Sequence, residues 1–458
     1  MSAAAGRTFA VIGGGITGLA AARELATLTS PADRIVVIER DGRLGGKIRT
    51  DRLGGARVEA GPDCFLAREP WAVELCRDLG MADELIEPEG FGGWVWAGGS
   101  LARLPPGLVF GVPTSLRSLR AAGVLSVRGR ARALADLVAP TALSGPDVTI
   151  GAFVRRRFGR EVLDRLVDPV LAGTRAGDPD ALSLAAATPE LDRLARSRRS
   201  LLAGRTDPVE DGPLFLAPRA GMGSLIEKLR AGLARTEMRL GRAALRVRAH
   251  GDGFVVDIAG DEPVVAHGVV VAAPTFAAAD LLEGLDPDAA QLLRTIAYSS
   301  VALVTLIYPP GSVALPDHGS GFLVPRSERR MLAACTWYSR KWPGAVHDEE
   351  GIVLRCFAGR GENNPALALD DDELALALHA EAAEALPIAA GPRVAGVVRW
   401  ERGLPHYAVG HLDLVDRIEH ALAPWPRVAL AGAGYRGSGI AKCIHQARRA
   451  ARQLTAGL

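Results

Sequence analysis

Four residues near the start of the chain have the types and the spacing to bind a dinucleotide. Gly13, Gly15 and Gly18 follow the apolar run Phe9-Ala10-Val11-Ile12, and Glu39 ends a second run, Ile35-Val36-Val37-Ile38, 21 residues after Gly18. Glycine at the first place permits a tight turn. At the second it lets backbone approach a pyrophosphate, and at the third it lets a helix pack closely on a strand. A helix opening on Gly13-Gly14-Gly15-Ile16-Thr17-Gly18 turns its N–H groups and the positive end of its dipole toward phosphate. Glu39 stands where a carboxylate accepts ribose hydroxyls. This chemistry needs a strand, a helix and a second strand in that order, and the hydrophobic pattern supplies all three.

The C-terminus repeats the arrangement. A strand over Arg427-Val428-Ala429-Leu430 ends in Gly432-Ala433-Gly434, then Tyr435-Arg436-Gly437-Ser438-Gly439-Ile440 leads into a helix over residues 441–456. A second glycine turn at a helix start predicts that both chain ends return to one cofactor. A flavin, whose ring lies far from its adenine, needs such a second wall.

Between these ends the pattern divides. Residues 113–199 carry apolar residues at helical spacing with many arginines between them, and predict an inserted helical subdomain. Residues 247–271 read as a strand meander, and further strands are expected over 301–307, 321–324, 331–337, 352–357 and 394–400. These form a second sheet, with a helix over 370–385 packed on it.

The 458 residues exceed one core of ordinary size. The net charge of +2 gives no electrostatic case for nucleic acid. The five cysteines are scattered without metal-binding spacing, so no metal is expected and a reduced cytoplasmic setting is. No apolar run is long enough to span a bilayer, leaving at most peripheral membrane contact.

The glycine turns at both ends and Gly45-Gly46-Lys47 resemble the FAD-dependent amine oxidase and protoporphyrinogen oxidase superfamily. Four internal stretches are similar to the bacterial coproporphyrinogen III oxidases: Gly61-Pro62-Asp63-Cys64-Phe65-Leu66, Leu171-Ala172-Gly173-Thr174-Arg175-Ala176-Gly177-Asp178, Ala334-Cys335-Thr336-Trp337 with Lys341-Trp342-Pro343, and Arg399-Trp400 with Leu404-Pro405-His406-Tyr407-Ala408-Val409-Gly410-His411. The resemblance implies an α/β protein: a Rossmann-like FAD-binding domain over 1–92, 220–285 and 398–458, a mixed-sheet substrate domain over 93–112, 205–219 and 286–397, and a helical insert over 113–204. It implies FAD held by Gly13, Gly14, Gly15, Ile16, Thr17, Gly18, Glu39, Arg40, Lys47, Gly61, Pro62, Asp63, Cys64, Ala244, Trp400, Ser438, Gly439 and Ile440. Gly173 and Thr174 would face the reaction. Arg175, Arg219, Arg340, Lys341, Tyr407 and His411 are the candidates for the substrate's carboxylates.

The implied reaction is oxygen-dependent, six-electron oxidation of coproporphyrinogen III to coproporphyrin III in haem biosynthesis, with hydrogen peroxide released and a ferrochelatase or other haem-pathway enzyme as partner. Two alternatives stay open: a protoporphyrinogen IX oxidase of the same fold, and a flavoprotein that carries porphyrin with slow chemistry. Gly90-Phe91-Gly92-Gly93-Trp94 lacks the arginine of the protoporphyrinogen-selective branch, which disfavours the first.

Overall fold

The computed structural model describes residues 6–90, 92–138, 145, 147–203, 212–346, 351–360 and 364–456. Phe91 and the 204/205 boundary expected from the sequence fall outside them.

Two sheets organise the molecule. The first has five strands, in the order Glu237–Leu240, Arg34–Glu39, Thr8–Ile12, Gly268–Val271 and Val428–Leu430, all parallel. Its central strands are continuous runs of β-branched and small apolar residues because both faces are covered. One face takes the helices Ile16–Leu28 and Ile440–Thr455, which pack on each other. Their buried faces are rich in alanine (Ala20, Ala21, Ala22 and Ala447, Ala450, Ala451), so the backbones approach closely. The chain ends therefore meet in one core.

The second sheet has seven strands in the order Val394–Pro405, Tyr298–Tyr308, Ile352–Ala358, Leu332–Trp337, Gly321–Leu323, Trp94–Ala97 and Ser100–Arg103. Its pairings are antiparallel except Gly321–Leu323 with Trp94–Ala97. The helix Asp371–Ala385 lies against it through Leu374, Ala375 and Leu378. Asp370 and Glu373 start that helix with a reciprocal capping box.

Among the described residues of 113–199 the regular structure is mainly helical, with a core of Phe153, Leu163, Leu166, Leu171 and Leu191. Inside it, Arg157 Nε donates to Asp136 Oδ1 at 2.6 Å, and Asp136 Oδ2 accepts from Ser200 Oγ and Leu202 N.

The expected meander over 247–271 is corrected in one part. Ala244–His250, Gly253–Ile258 and Val264–Ala266 do form an antiparallel three-stranded sheet. Gly268–Val271 leaves it and inserts beside the first strand of the parallel sheet. All four residues of this strand are buried, so it needs cover on both faces, which an edge of the small sheet does not provide.

Candidate functional site

The first glycine turn is built by steric necessity. Gly13 has φ +110°, and its N–H donates to Ile38 O at 2.8 Å. A Cβ on Gly18 would stand 1.8 Å from Gly13 O, and one on Gly14 would stand 2.7 Å from Leu44 Cδ2. Gly15 differs, since nothing lies within 4 Å of where its Cβ would be. It is the N-cap of the first helix, with no side-chain cap and no acid in the first turn, so the helix start is open to a ligand. Ile16 and Thr17 begin that helix, and Thr17 is buried.

Glu39 is buried at the end of its strand. Its Oε2 accepts from Gly14 N at 2.5 Å and its Oε1 from Asp41 N at 2.9 Å. The carboxylate thus fixes the glycine turn as well as facing it. Arg40 points to solvent and pairs with Asp41 at 3.7 Å.

Two further turns close around this one. Gly45 N donates to Gly14 O at 2.8 Å, and a Cβ on Gly61 would stand 2.0 Å from Lys47 O. The Gly61 turn follows the separate hairpin Thr50–Leu53/Ala56–Glu59 rather than a strand of the parallel sheet. Lys47 forms no ion pair among the described residues, and burial lowers its pKa. Trp400 Nε1 donates to Ala60 O at 2.8 Å and Arg355 Nη2 to Gly61 O at 2.6 Å, so the second sheet grips the turn from outside. Pro62, Asp63 and Cys64 complete it.

Asp63 anchors a buried charge cluster. It accepts from Lys341 Nζ at 2.8 Å and Trp342 Nε1 at 3.1 Å, with Arg355 Nη1 at 3.4 Å. Burial alone would raise the Asp63 pKa, but Lys341 and Arg355 outweigh it and hold the carboxyl well below its usual range. Lys341 is therefore committed to Asp63. Burial pushes the neighbouring Cys64 thiol up to about 12.

Arg355 was not anticipated from sequence. It is 1% exposed, in the strand Ile352–Ala358, between the rings of Tyr338 and Phe357. The available signal was a lone guanidinium amid the apolar run Ile352-Val353-Leu354-Arg355-Cys356-Phe357, where burial demands a partner.

The closing turn joins this region through the buried Cys443, whose thiol meets Thr17 and donates to Ser438 O at 3.8 Å. Gly439 caps the last helix without a side-chain bond and with open space at its Cβ, like Gly15. Ile440 is the first residue of that helix, and Ser438 Oγ accepts from Arg175 Nη1 at 2.9 Å. Arg436 is paired with Asp416 at 2.5 Å and Glu419 at 2.7 Å, so its charge is neutralised within the fold.

The remaining candidates are distributed. Tyr407 and His411 are buried beside the closing turn. A Cβ on Gly173 would stand 2.8 Å from Leu323 Cδ2, so this glycine serves close packing of its helix on the second sheet. Thr174 is exposed and donates to Val170 O of its own helix. Ala244 opens its strand opposite Ile258. Arg219 is exposed, and Arg340 donates to Pro316 O over the Trp337 ring. Among the described residues, no cluster of His, Cys, Asp or Glu could hold a metal ion.

A flavin dinucleotide fits this set. One open helix start suits its pyrophosphate and the other its ring, while Lys47 and Arg175 are cations without an ion pair among the described residues.

Comparison with known proteins agrees. The model of the flavin containing amine oxidoreductases matches residues 16–455. A coproporphyrinogen III oxidase of Bacillus subtilis is 33% identical, covering 96% of each chain, and one of Mycobacterium tuberculosis is 33% identical, covering 97% of this chain and 96% of its own. The chloroplastic protoporphyrinogen oxidase of rice is 29% identical over 97% of this chain and 87% of its own. A crystal structure from Exiguobacterium sp. 255-15, provisionally named a protoporphyrinogen oxidase, superposes with a TM-score of 0.88 at 29% identity, covering 99% of both chains. With nearly its whole length matched, the chain belongs to the family of flavin containing amine oxidoreductases.

Proposed function

We propose that this enzyme oxidises coproporphyrinogen III to coproporphyrin III with molecular oxygen as acceptor, releasing hydrogen peroxide, in haem biosynthesis. The observation that carries the reading is the meeting of two uncapped glycine–helix turns from opposite chain ends, in a chain one-third identical to coproporphyrinogen III oxidases over nearly full length. FAD, the cofactor, supplies a two-electron acceptor, so removal of six electrons takes three rounds.

The protein's own part is placement. Gly15 and Gly439 leave backbone N–H groups open toward the phosphates and the ring end. Trp400 and Arg355 hold the carbonyls of Ala60 and Gly61, fixing the Gly61 turn against the second sheet. The four propionates of coproporphyrinogen call for cations with no internal acid partner. Of the candidates, Arg219 and Arg340 meet that requirement among the described residues, Arg175 meets it but is bound to Ser438, and Lys341 is neutralised by Asp63. The division into FAD, substrate and insert regions at the boundaries given above belongs to the same proposal, as does transfer of product to a ferrochelatase or another haem-pathway enzyme.

The rice relative favours protoporphyrinogen IX as the second reading. The purified holoenzyme under air, given each porphyrinogen in turn and followed by product fluorescence, separates the two. Coproporphyrinogen III is expected to give the larger kcat/KM. Faster oxidation of protoporphyrinogen IX would overturn the assignment, and binding without turnover would make the protein a carrier.

A further inference from the structure

Three side chains, Arg175 from the helical insert and Tyr407 and His411 four residues apart near the C-terminus, converge on the closing turn. Arg175 ends the helix Asp168–Arg175, and Ala176 then turns the chain away with φ +48°. Its guanidinium lies over the Tyr407 ring, 6.0 Å from the centroid, and the Tyr407 ring stacks on His411 at 4.3 Å and 23°. Each member fastens a different point of residues 432–438. Arg175 Nη1 donates to Ser438 Oγ, the Tyr407 hydroxyl to Ala433 O, and His411 Nε2 to Tyr435 O at 2.7 Å. The last bond requires the proton on Nε2.

The other side of the stack belongs to the helical insert. Tyr407 O accepts from Ser183 N at 2.8 Å, Gly410 N donates to Asp147 Oδ2 at 2.9 Å, and Ser183 Oγ donates to Asp147 Oδ1 at 2.9 Å. Leu182 and Ala408 add a bridge of strand type. Tyr407 is 2% and His411 3% exposed, so the contacts are shielded from water. Arg175 has no ion pair among the described residues, and its closest polar partner is a neutral hydroxyl at the start of the last helix. A desolvated cation next to the positive end of a helix dipole is stabilised by added negative charge.

We infer that Arg175, Tyr407 and His411 form a positioning clamp that couples the helical insert to the closing turn, and that the Arg175 charge favours the reduced, anionic state of the cofactor. The inference rests on the placement of FAD beside that turn proposed above. Tyr407 and His411 hold the turn's shape, and Arg175 adds its field.

The holoenzyme variants Arg175→Met, Arg175→Lys and Tyr407→Phe test it through the FAD dissociation constant and the two-electron midpoint potential. Arg175→Met should weaken binding of reduced relative to oxidised FAD about tenfold, a fall of about 30 mV. Arg175→Lys should restore most of it. Tyr407→Phe should keep the wild-type potential, weaken FAD binding several-fold and speed amide exchange over 433–436. Unchanged affinity and potential in both Arg175→Met and Tyr407→Phe would overturn the clamp. An equal fall in Arg175→Met and Arg175→Lys would trace the effect to packing and overturn the role of charge. Wild-type protein that retains no FAD would instead sink the functional proposal on which the inference stands.

Discussion

Glu59 is a carboxyl with little room for charge. It is 2% exposed and accepts from Met222 N at 2.8 Å and Thr50 Oγ1 at 2.9 Å. Burial pushes its pKa up from 4.5 to about 7 in spite of these donors and of Arg355. The folded protein thus binds this proton more tightly than the unfolded chain. The stabilisation is complete below pH 4.5 and is lost as pH rises through 7. Glu59→Gln removes the titration while keeping an acceptor for Met222 N. Above pH 7 it should gain about 3 kcal/mol over wild type, with little difference at pH 4.5. Urea midpoints at pH 5 and pH 8 check this, and equal differences at both would refute it. The role of Gly13 to Gly18 was legible because spacing alone encodes it. The use of Glu39 by Gly14 N and Asp41 N was not, since local backbone geometry decides which donors a carboxylate meets. The commitment of Lys341 to Asp63, a contact across 278 residues, was equally beyond a linear reading.

At the scale of elements, the insert depends on an ion pair that periodicity does not reveal. Asp136 is fully buried and saturated by Arg157, Ser200 and the Leu202 amide, so it ties the helix Ile150–Arg157 to the chain at 200–202. Asp136→Ala leaves Arg157 buried with an uncompensated charge and should cost about 3–5 kcal/mol. A thermal unfolding scan of the variant should show a lower Tm, while Asp164→Ala, which breaks the exposed pair with Arg160, should shift it little. Equal shifts would remove the ion pair as the anchor of the insert. The strands expected at 301–307, 331–337 and 352–357 were readable from their apolar runs, β-branched in the first. Trp94–Ala97 and Ser100–Arg103 escaped because glycines flank and separate so short a hairpin; Trp94–Ala97 joins the sheet beside Gly321–Leu323, and Ser100–Arg103 pairs with Trp94–Ala97 at its edge. Gly268–Val271 had the composition of a strand, but its sheet is chosen by which partners can cover both faces.

Across the whole molecule, the chain ends are joined by the sheet and by two packed helices, whose open starts at Gly15 and Gly439 carry no internal cap. Each start leaves backbone donors unsatisfied by protein, a cost that a bridging ligand offsets. A molecule that reaches both turns should therefore stabilise the fold more than one that reaches only the first. FAD carries the pyrophosphate for Gly13 to Gly18 and a ring for the closing turn, whereas ADP carries only the first part. At equal concentrations of added ligand, FAD should raise the Tm of the apoprotein well above the rise given by ADP. Saturation at 100 times its dissociation constant corresponds to about 2.7 kcal/mol. Amide exchange should slow at both residues 13–18 and 432–440 with FAD, but only at the first segment with ADP. Protection confined to the first segment with both ligands would mean that the two ends do not share one cofactor, and the second glycine turn would then serve the packing of the last helix alone.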